Sequence, residues 1–288
     1  MLSPQQVARF KRDGFLLLKD ALSAAQLRPL QRQFAQWVEE SRARDAPYGE
    51  TLDRRARFDL ERGHSAERPA LRRVASPIEI SNDYLRAMRE SKAVDAIADL
   101  LGPNIKFHHC KINSKLPRAA TEVKFHQDFL YEPHSNDDLI TALLFLDDVT
   151  TRNGPLEVVP GSHRGPLHGL WHDGVFTGAV APRVAAELTG RTVQCTGAAG
   201  AACLMHTRLL HGSAANRSTR PRTLFIAIYS AEDALPLSPN PLPSRYAGEI
   251  VRGRATNRVR CSDYAMEFPE VPKSASFFDQ QANTLARG

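Results

Sequence analysis

The sequence predicts a mainly β fold of jelly-roll type with helices flanking it. Apolar residues recur at helical spacing up to Gly102-Pro103, then switch to strand-like runs from Ile105 onward. Those runs are many and short and are punctuated by Gly and Pro, as in an all-β sandwich or barrel. The chain has 288 residues, 42% hydrophobic and 24% charged, enough for one sizeable core without long disorder. We expect a single domain over 1–288: a helical region 1–103, a jelly-roll core 104–232 and a carboxy-terminal extension 233–288.

Ser3-Pro4 has the form of a helix N-cap followed by proline at the first helical position, and Gly14 closes that short helix. Phe15 to Leu18 reads as a strand. Ser23 caps a longer amphipathic helix to about Glu40, with Leu27, Leu30, Phe34 and Trp37 or Val38 on one face. Residues 43–75 are polar, arginine-rich and without period, and read as a long excursion, either a lid or an irregular surface segment. Ser81 to Leu101 supports one or two helices, stopped by Gly102-Pro103. Strands are expected at Lys106–Lys115, around His126, at Leu139–Leu146, Leu156–Val159, Thr192–Cys195, Ala201–Met205 and Thr223–Tyr229. The tail from Pro236 is proline-rich, then polar, and is expected to wrap the surface.

The net charge is +6 and the pI about 9.3. Much of the basic character is arginine between Arg54 and Arg73, interleaved with acidic residues, which suits a solvated mixed-charge surface. The functional alternative is attraction of an anionic small-molecule substrate. No basic helix, zinc-ligand spacing or RNP-like aromatic motif appears, so nucleic acid is not the expected partner. No apolar run approaches the roughly 20 residues of a membrane span, and the amino terminus lacks a signal-peptide pattern, which favours the cytoplasm. Cys110, Cys195, Cys203 and Cys261 show no CxxC spacing and are expected as reduced thiols.

The chemistry centres on Lys124-Phe125-His126-Gln127-Asp128. On a strand, residues two apart project from one face, so His126 and Asp128 can converge on one point. A strand histidine hydrogen-bonded to a nearby carboxylate is the plainer reading. With a second histidine they complete the two-histidine, one-carboxylate facial triad of non-haem Fe(II) oxygenases, which leaves one face of the metal open. His211, in Leu209-Leu210-His211-Gly212-Ser213, and His206 compete for the place of third ligand. Arg222 opens the apolar run Thr223–Tyr229, where a guanidinium is costly unless it meets a carboxylate.

Together, His126-x-Asp128, Asn153-Gly154-Pro155-Leu156, Pro160-Gly161-Ser162-His163, His211-Gly212-Ser213 and Arg220-Pro221-Arg222 resemble the phytanoyl-CoA dioxygenase family, which includes the ectoine hydroxylases. The resemblance is densest from about Lys111 to Ala231. It implies a double-stranded β-helix core, Fe(2+) held by His126, Asp128 and His211, and 2-oxoglutarate and O2 as cosubstrates. It further implies that Arg222 grips the distal carboxylate of 2-oxoglutarate, with Lys115, Ser213 and Thr141 assisting, and that His163 is a structural turn histidine. Arg217 and Arg220 compete with Arg222 but precede the apolar run. Relatives that halogenate carry a small residue where Asp128 stands here, so hydroxylation is implied. The residues after Asp128 depart from the tryptophan-bearing ectoine hydroxylase version, so that substrate is not implied. Asn113, Phe129, Tyr131 and Trp171 are candidate substrate contacts, with aromatic core packing as the alternative. His108, His109 and His134 are pocket candidates or hydrogen-bonded structural histidines. Two other classes stay open: a non-catalytic jelly-roll binding protein, and a 2-oxoglutarate-independent metal enzyme.

Overall fold

In the computed structural model, which describes residues 1–117, 121–270 and 281, a large sheet carries helices on its outer face and faces a smaller sheet across an apolar core. The remainder of the expected extension, 271–280 and 282–288, lies outside the described residues.

The amino-terminal region runs α1 (Pro4–Asp13), β1 (Phe15–Leu18), α2 (Ala24–Ser41), β2 (Tyr48–Glu50), β3 (Ala56–Leu60), β4 (Leu71–Ala75), α3 (Asn82–Glu90) and α4 (Lys92–Leu101). Ser3 and Ser23 each form a capping box with the glutamine three residues on, and Gly14 ends α1 in the left-handed region at φ 80°. The core supplies β5 (Ile105–Lys115), β6 (Val123–His126), β7 (Leu139–Phe145), β8 (Leu156–Val158), β9 (Trp171–His172) and β10 (Val175–Phe176). There follow α5 (Pro182–Glu187), β11 (Val193–Cys195), β12 (Ala202–His206), β13 (His211–Ser213), β14 (Arg222–Ala231) and β15 (Ile250–Arg252).

The large sheet has the order β1-β12-β7-β14-β5-β4-β3-β2, with β15 added beside β5; the small sheet has the order β11-β8-β13-β6. Strand alternation sorts the side chains. On β14, Phe225, Ala227 and Tyr229 pack toward the helices, while Leu224, Ile226 and Ile228 face the small sheet. The Tyr84 hydroxyl donates to Leu30 O (3.0 Å) and the Tyr229 hydroxyl to Met88 O (2.7 Å), tying helices and sheet together. Cys110, Cys195 and Cys203 are buried, Cys261 is exposed, and all four are free thiols. Among the described residues no helix is long and apolar enough to cross a membrane.

One segment differs from the expectation. Residues 43–75 are not an irregular excursion: β2, β3 and β4 extend the large sheet in antiparallel register, Arg73 opposite Asn113 and Ala75 opposite Lys111. Their arginines hid the strand period, because Arg72 is charge-paired to Asp59 (2.7 Å) and Arg73 points inward. The hairpin β9–β10 and helix α5 were not anticipated. The hairpin turns on Asp173-Gly174, both at positive φ (51° and 73°), a dipeptide suited to a two-residue turn.

Candidate active site

Strand β6 ends at His126, and Asp128 opens a single 3-10 turn over Asp128–Leu130. The convergence of the two therefore comes from this turn and not from strand alternation. Strand β13 runs antiparallel beside β6 with His211 directly opposite His126, their ring centroids 4.2 Å apart. Gly212 is forced by this pairing, since a Cβ there would meet Val123 O at 2.9 Å and the Phe125 ring at 3.2 Å. Asp128 Oδ1 lies 3.4 Å from His126 Nε2 and 3.5 Å from His211 Nε2. These separations exceed a good hydrogen bond, and they match two donors sharing one cation at bonds of about 2.1 Å.

The donors are also oriented. Hydrogen bonds join His126 Nδ1 to Lys124 O (2.8 Å) and His211 Nδ1 to Leu209 O (2.9 Å), which puts the proton on Nδ1 and turns each Nε2 lone pair inward. The Thr141 hydroxyl donates to Asp128 Oδ2 (2.8 Å), leaving Oδ1 for the shared point. Burial, then His211, lowers the His126 imidazole below its usual range, so it is neutral. Burial alone would lift the Asp128 carboxyl, but the two imidazoles outweigh it and hold it well below the usual carboxylate range. Two imidazoles and one carboxylate on one side of a cavity fit a divalent iron ion.

The cavity, about 120 Å³, is comparable to one that accepts a benzene-sized molecule. One end is basic. Lys115 on β5 and Arg222 on β14 are paired in register, both buried and both lining the cavity. Lys115 Nζ donates to Ser213 Oγ (2.8 Å), Ser213 O (3.1 Å) and Ala214 O (2.5 Å). Arg222 Nε donates to Gly154 O (3.1 Å). Gly154 has φ 75°, and a Cβ there would meet Ala214 O at 2.6 Å, so the Asn-Gly-Pro turn works only with glycine. Burial pushes Arg222 down to about 10, and burial followed by the Arg222 charge pushes Lys115 down to about 6. Apolar side chains, including Leu143, Leu156, Met205, Leu224, Ile226 and Ile228, cover the remaining wall.

Of the residues singled out from sequence, His126, Asp128, His211, Lys115, Ser213, Arg222, Thr141, Asn113 and Tyr131 all line this cavity. Tyr131 sits edge-on to the His126 ring at 5.6 Å and donates its hydroxyl to Gly178 O (2.6 Å). The structure does not bring Phe129 and Trp171 to the cavity. Phe129 is fully buried in the inter-sheet core against Tyr264, and Trp171 borders a separate cleft and donates to Phe268 O (2.8 Å). His206 also lies apart, between the rings of Phe10 and His163, with Nδ1 accepting from Arg208 N.

A second group of potential donors, His108, His109 and Glu132, lies deeper. The β14–β5 register passes from His109 to Phe107, so a bulge at His108 turns two consecutive imidazoles to one side. Glu132 Oε2 lies 3.4 Å from His108 Nε2 and 3.2 Å from His109 Nδ1. Burial, then Asp128, raises the Glu132 carboxyl well above its usual value, so it is protonated beside neutral imidazoles and is the poorer seat for a divalent cation. Sequence reasoning missed Glu132, Arg55, Arg73 and Lys111, all of which line the cavity. The signal for Lys111 was the alternation of β5, which places His109, Lys111, Asn113 and Lys115 on one face.

Known proteins resemble the chain in sequence and in fold. Residues 10–224 match the family described as Phytanoyl-CoA dioxygenase (PhyH). The probable alpha-ketoglutarate-dependent hypophosphite dioxygenase of Stutzerimonas stutzeri is 33% identical over 218 residues, covering 74% of this chain and 75% of that protein. The L-proline trans-4-hydroxylase of Streptomyces griseoviridis is 29% identical, covering 80% and 87%. Among solved structures, EctD from S. alaskensis with bound Fe superposes with a TM-score of 0.65 at 24% identity, over 93% of this chain and 88% of that one, a likeness of fold.

Proposed function

Since the chain belongs to the phytanoyl-CoA dioxygenase family, and is an Fe(II)- and 2-oxoglutarate-dependent dioxygenase, we propose that it hydroxylates an unactivated C–H bond of a small, anionic metabolite. The observation that carries this reading is the pairing of the His126–Asp128–His211 convergence with the buried basic side chains Lys115 and Arg222 in one small cavity. Fe(II) and 2-oxoglutarate, when bound, supply the oxidation: O2 is split, one oxygen atom goes to succinate with loss of CO2, and the other to product.

The protein's own groups do the rest. His126 and His211 offer Nε2 lone pairs and Asp128 offers Oδ1, held for the purpose by Lys124 O, Leu209 O and Thr141. Arg222 and Lys115 draw the distal carboxylate of 2-oxoglutarate to the far end, where Ser213 Oγ is already hydrogen-bonded to Lys115 Nζ. The apolar wall excludes water from the reacting atoms. In this assignment Thr141 orients the metal-binding carboxylate rather than contacting the cosubstrate.

The hypophosphite relative favours a second reading, in which the hydrogen removed is on phosphorus instead of carbon. One experiment tests both. Purified enzyme with Fe(II) and 2-oxoglutarate is offered small carboxylates, amino acids and phosphinate under 18O2. Substrate-stimulated succinate release with one 18O in succinate and one in product supports the reaction. Succinate release that no member of the panel stimulates argues against it.

A further inference from the structure

We propose that Arg73 of β4 and Lys111 of β5, with Asn113 between them, form a second oxyanion subsite, separate from Lys115 and Arg222, that seats the acidic group of the substrate. The inference rests on the function proposed above and adds the chemical group that is recognised and where. Asn113 stands opposite Arg73 in the β4–β5 register, and Lys111 follows two residues away on the same face of β5. All three line the cavity.

Neither side chain is held in a close ion pair, although Asp59 acts on Arg73, and Asp128 and Glu132 act on Lys111, from farther away. Among the described residues no carboxylate lies within ion-pairing distance of Arg73 or Lys111, although the neighbouring Arg72 is paired to Asp59. Arg73 Nε and Asn113 Oδ1 are buried without a hydrogen-bond partner. The Arg73 N–H is a buried donor that loses its hydration for nothing unless a ligand oxygen meets it, and the Asn113 oxygen is an acceptor still open to a protonated ligand group. Burial pushes Arg73 down to about 10, and burial followed by Arg73 lowers Lys111, as expected for like charges awaiting an anion.

The pair is not a second hold on 2-oxoglutarate. Lys111 and Lys115 are four residues apart on β5, about 13 Å between their Cα atoms at strand spacing, and Lys115 Nζ is held at Ser213 and Ala214. Asp128 acts electrostatically on Lys111, whereas the carboxylates acting on Lys115 are Glu122, Glu157 and Glu61. Lys111 therefore lies on the metal side of the cavity, and a small molecule held there by its charged end presents its remaining hydrogens to the triad. A carboxylate or a phosphorus oxyanion satisfies the same donors.

The test uses anaerobic enzyme loaded with Fe(II) and 2-oxoglutarate, titrated by calorimetry with sodium phosphinate, sodium propionate and the neutral propionamide. At least one anion should bind, and Arg73→Gln and Lys111→Gln should each weaken it tenfold or more, while Lys111→Arg restores most of the affinity. Tighter phosphinate identifies a phosphorus oxyanion as the substrate class, and tighter propionate a carboxylate. Each variant's unchanged 2-oxoglutarate affinity verifies its fold. The subsite is refuted if neither anion binds, if propionamide binds as well as propionate, or if the glutamine variants bind anions like the wild type. The metal-to-ligand band of the Fe(II)–2-oxoglutarate complex, read on the same sample, reports on the proposed function alone.

Discussion

Replacing Arg222 by methionine should stabilise the ligand-free protein and cripple cosubstrate binding at once. The guanidinium is 4% exposed, its Nε donates only to Gly154 O, and its pKa is pushed from 12.5 to about 10 by burial. At about 1.4 kcal/mol per pH unit, that drop reflects about 3 kcal/mol of unfavourable charge burial in the folded chain. Methionine removes it, fills similar space and leaves the Gly154 carbonyl unmet, a loss of about 1 kcal/mol. The net gain of about 2 kcal/mol raises the midpoint of thermal unfolding by roughly 3 °C for a domain of this size. The same change removes one partner of a desolvated charge pair with 2-oxoglutarate, a loss of about 2–5 kcal/mol, or about 30-fold and upward in Kd. Thermal unfolding of the metal-free protein and anaerobic calorimetry with 2-oxoglutarate measure the two effects. Reduced stability together with unchanged 2-oxoglutarate affinity would refute the reasoning.

Three further outcomes follow from the site. His126→Ala, Asp128→Ala and His211→Ala should each abolish Fe(II) binding and coupled turnover, whereas His206→Ala, which faces Phe10 and His163, should keep iron; equilibrium dialysis decides, and the reverse pattern sinks the ligand assignment. Lys115 has a folded pKa of about 6 against 10.5, so between those values the unfolded chain binds the extra proton and Lys115 makes stability rise with pH. A bound carboxylate reverses that depression: near pH 8, 2-oxoglutarate binding should take up about one proton in wild type and none in Lys115→Met, and affinity should fall as pH climbs above about 6. Calorimetry in buffers of different ionisation heat measures the uptake, and equal uptake in both proteins excludes Lys115. Finally, Asp128 Oδ1 fills the position that an inner-sphere chloride would need, so excess chloride under 18O2 should leave an 18O-hydroxylated product by mass spectrometry; a chlorinated main product would overturn that assignment.

The triad was legible in sequence because its residues sit where chain punctuation marks them. His126 and Asp128 flank a strand end, and His211 was set apart from His206 by the His-Gly-Ser motif of the family, whose glycine the close strand contact explains. Arg222 was legible as a charge abutting an apolar run, an arrangement that needs a ligand or a partner, whereas Lys115 was legible only through the family resemblance. Phe129 and Trp171 were not, because an aromatic side chain carries no mark of the surface it meets. One closes the inter-sheet core and the other a peripheral cleft. Arg73 was hidden for a different reason. Leu71-Arg72-Arg73-Val74 has the composition of solvated surface, and only the pairing of β4 onto β5 decides that Arg72 turns to Asp59 while Arg73 turns to the cavity.

The same pairing explains why a strand as polar as β5 occupies the interior of the sheet. Its inner face reads His109, Lys111, Asn113, Lys115, and its outer face reads Cys110, Ile112, Ser114. Cys110 and Ile112 pack with Phe225 and Ala227 toward the helices, and Ser114 bonds Thr223 at 2.9 Å. A slip of one residue against β14 would drive Lys111 and Lys115 into that apolar layer and turn Cys110 and Ile112 to the cavity, costing several kcal/mol for each ammonium. The helix-facing half of β5 therefore fixes the register, and the register sets the functional half in order along the cavity. His109 and Lys111 fall within the field of Asp128, and Lys115 falls beside Arg222. The bulge at His108 lies beyond this stripe, at the amino-terminal end of the strand, so it redirects the His108–His109–Glu132 group without disturbing the spacing between the metal side and the cosubstrate end.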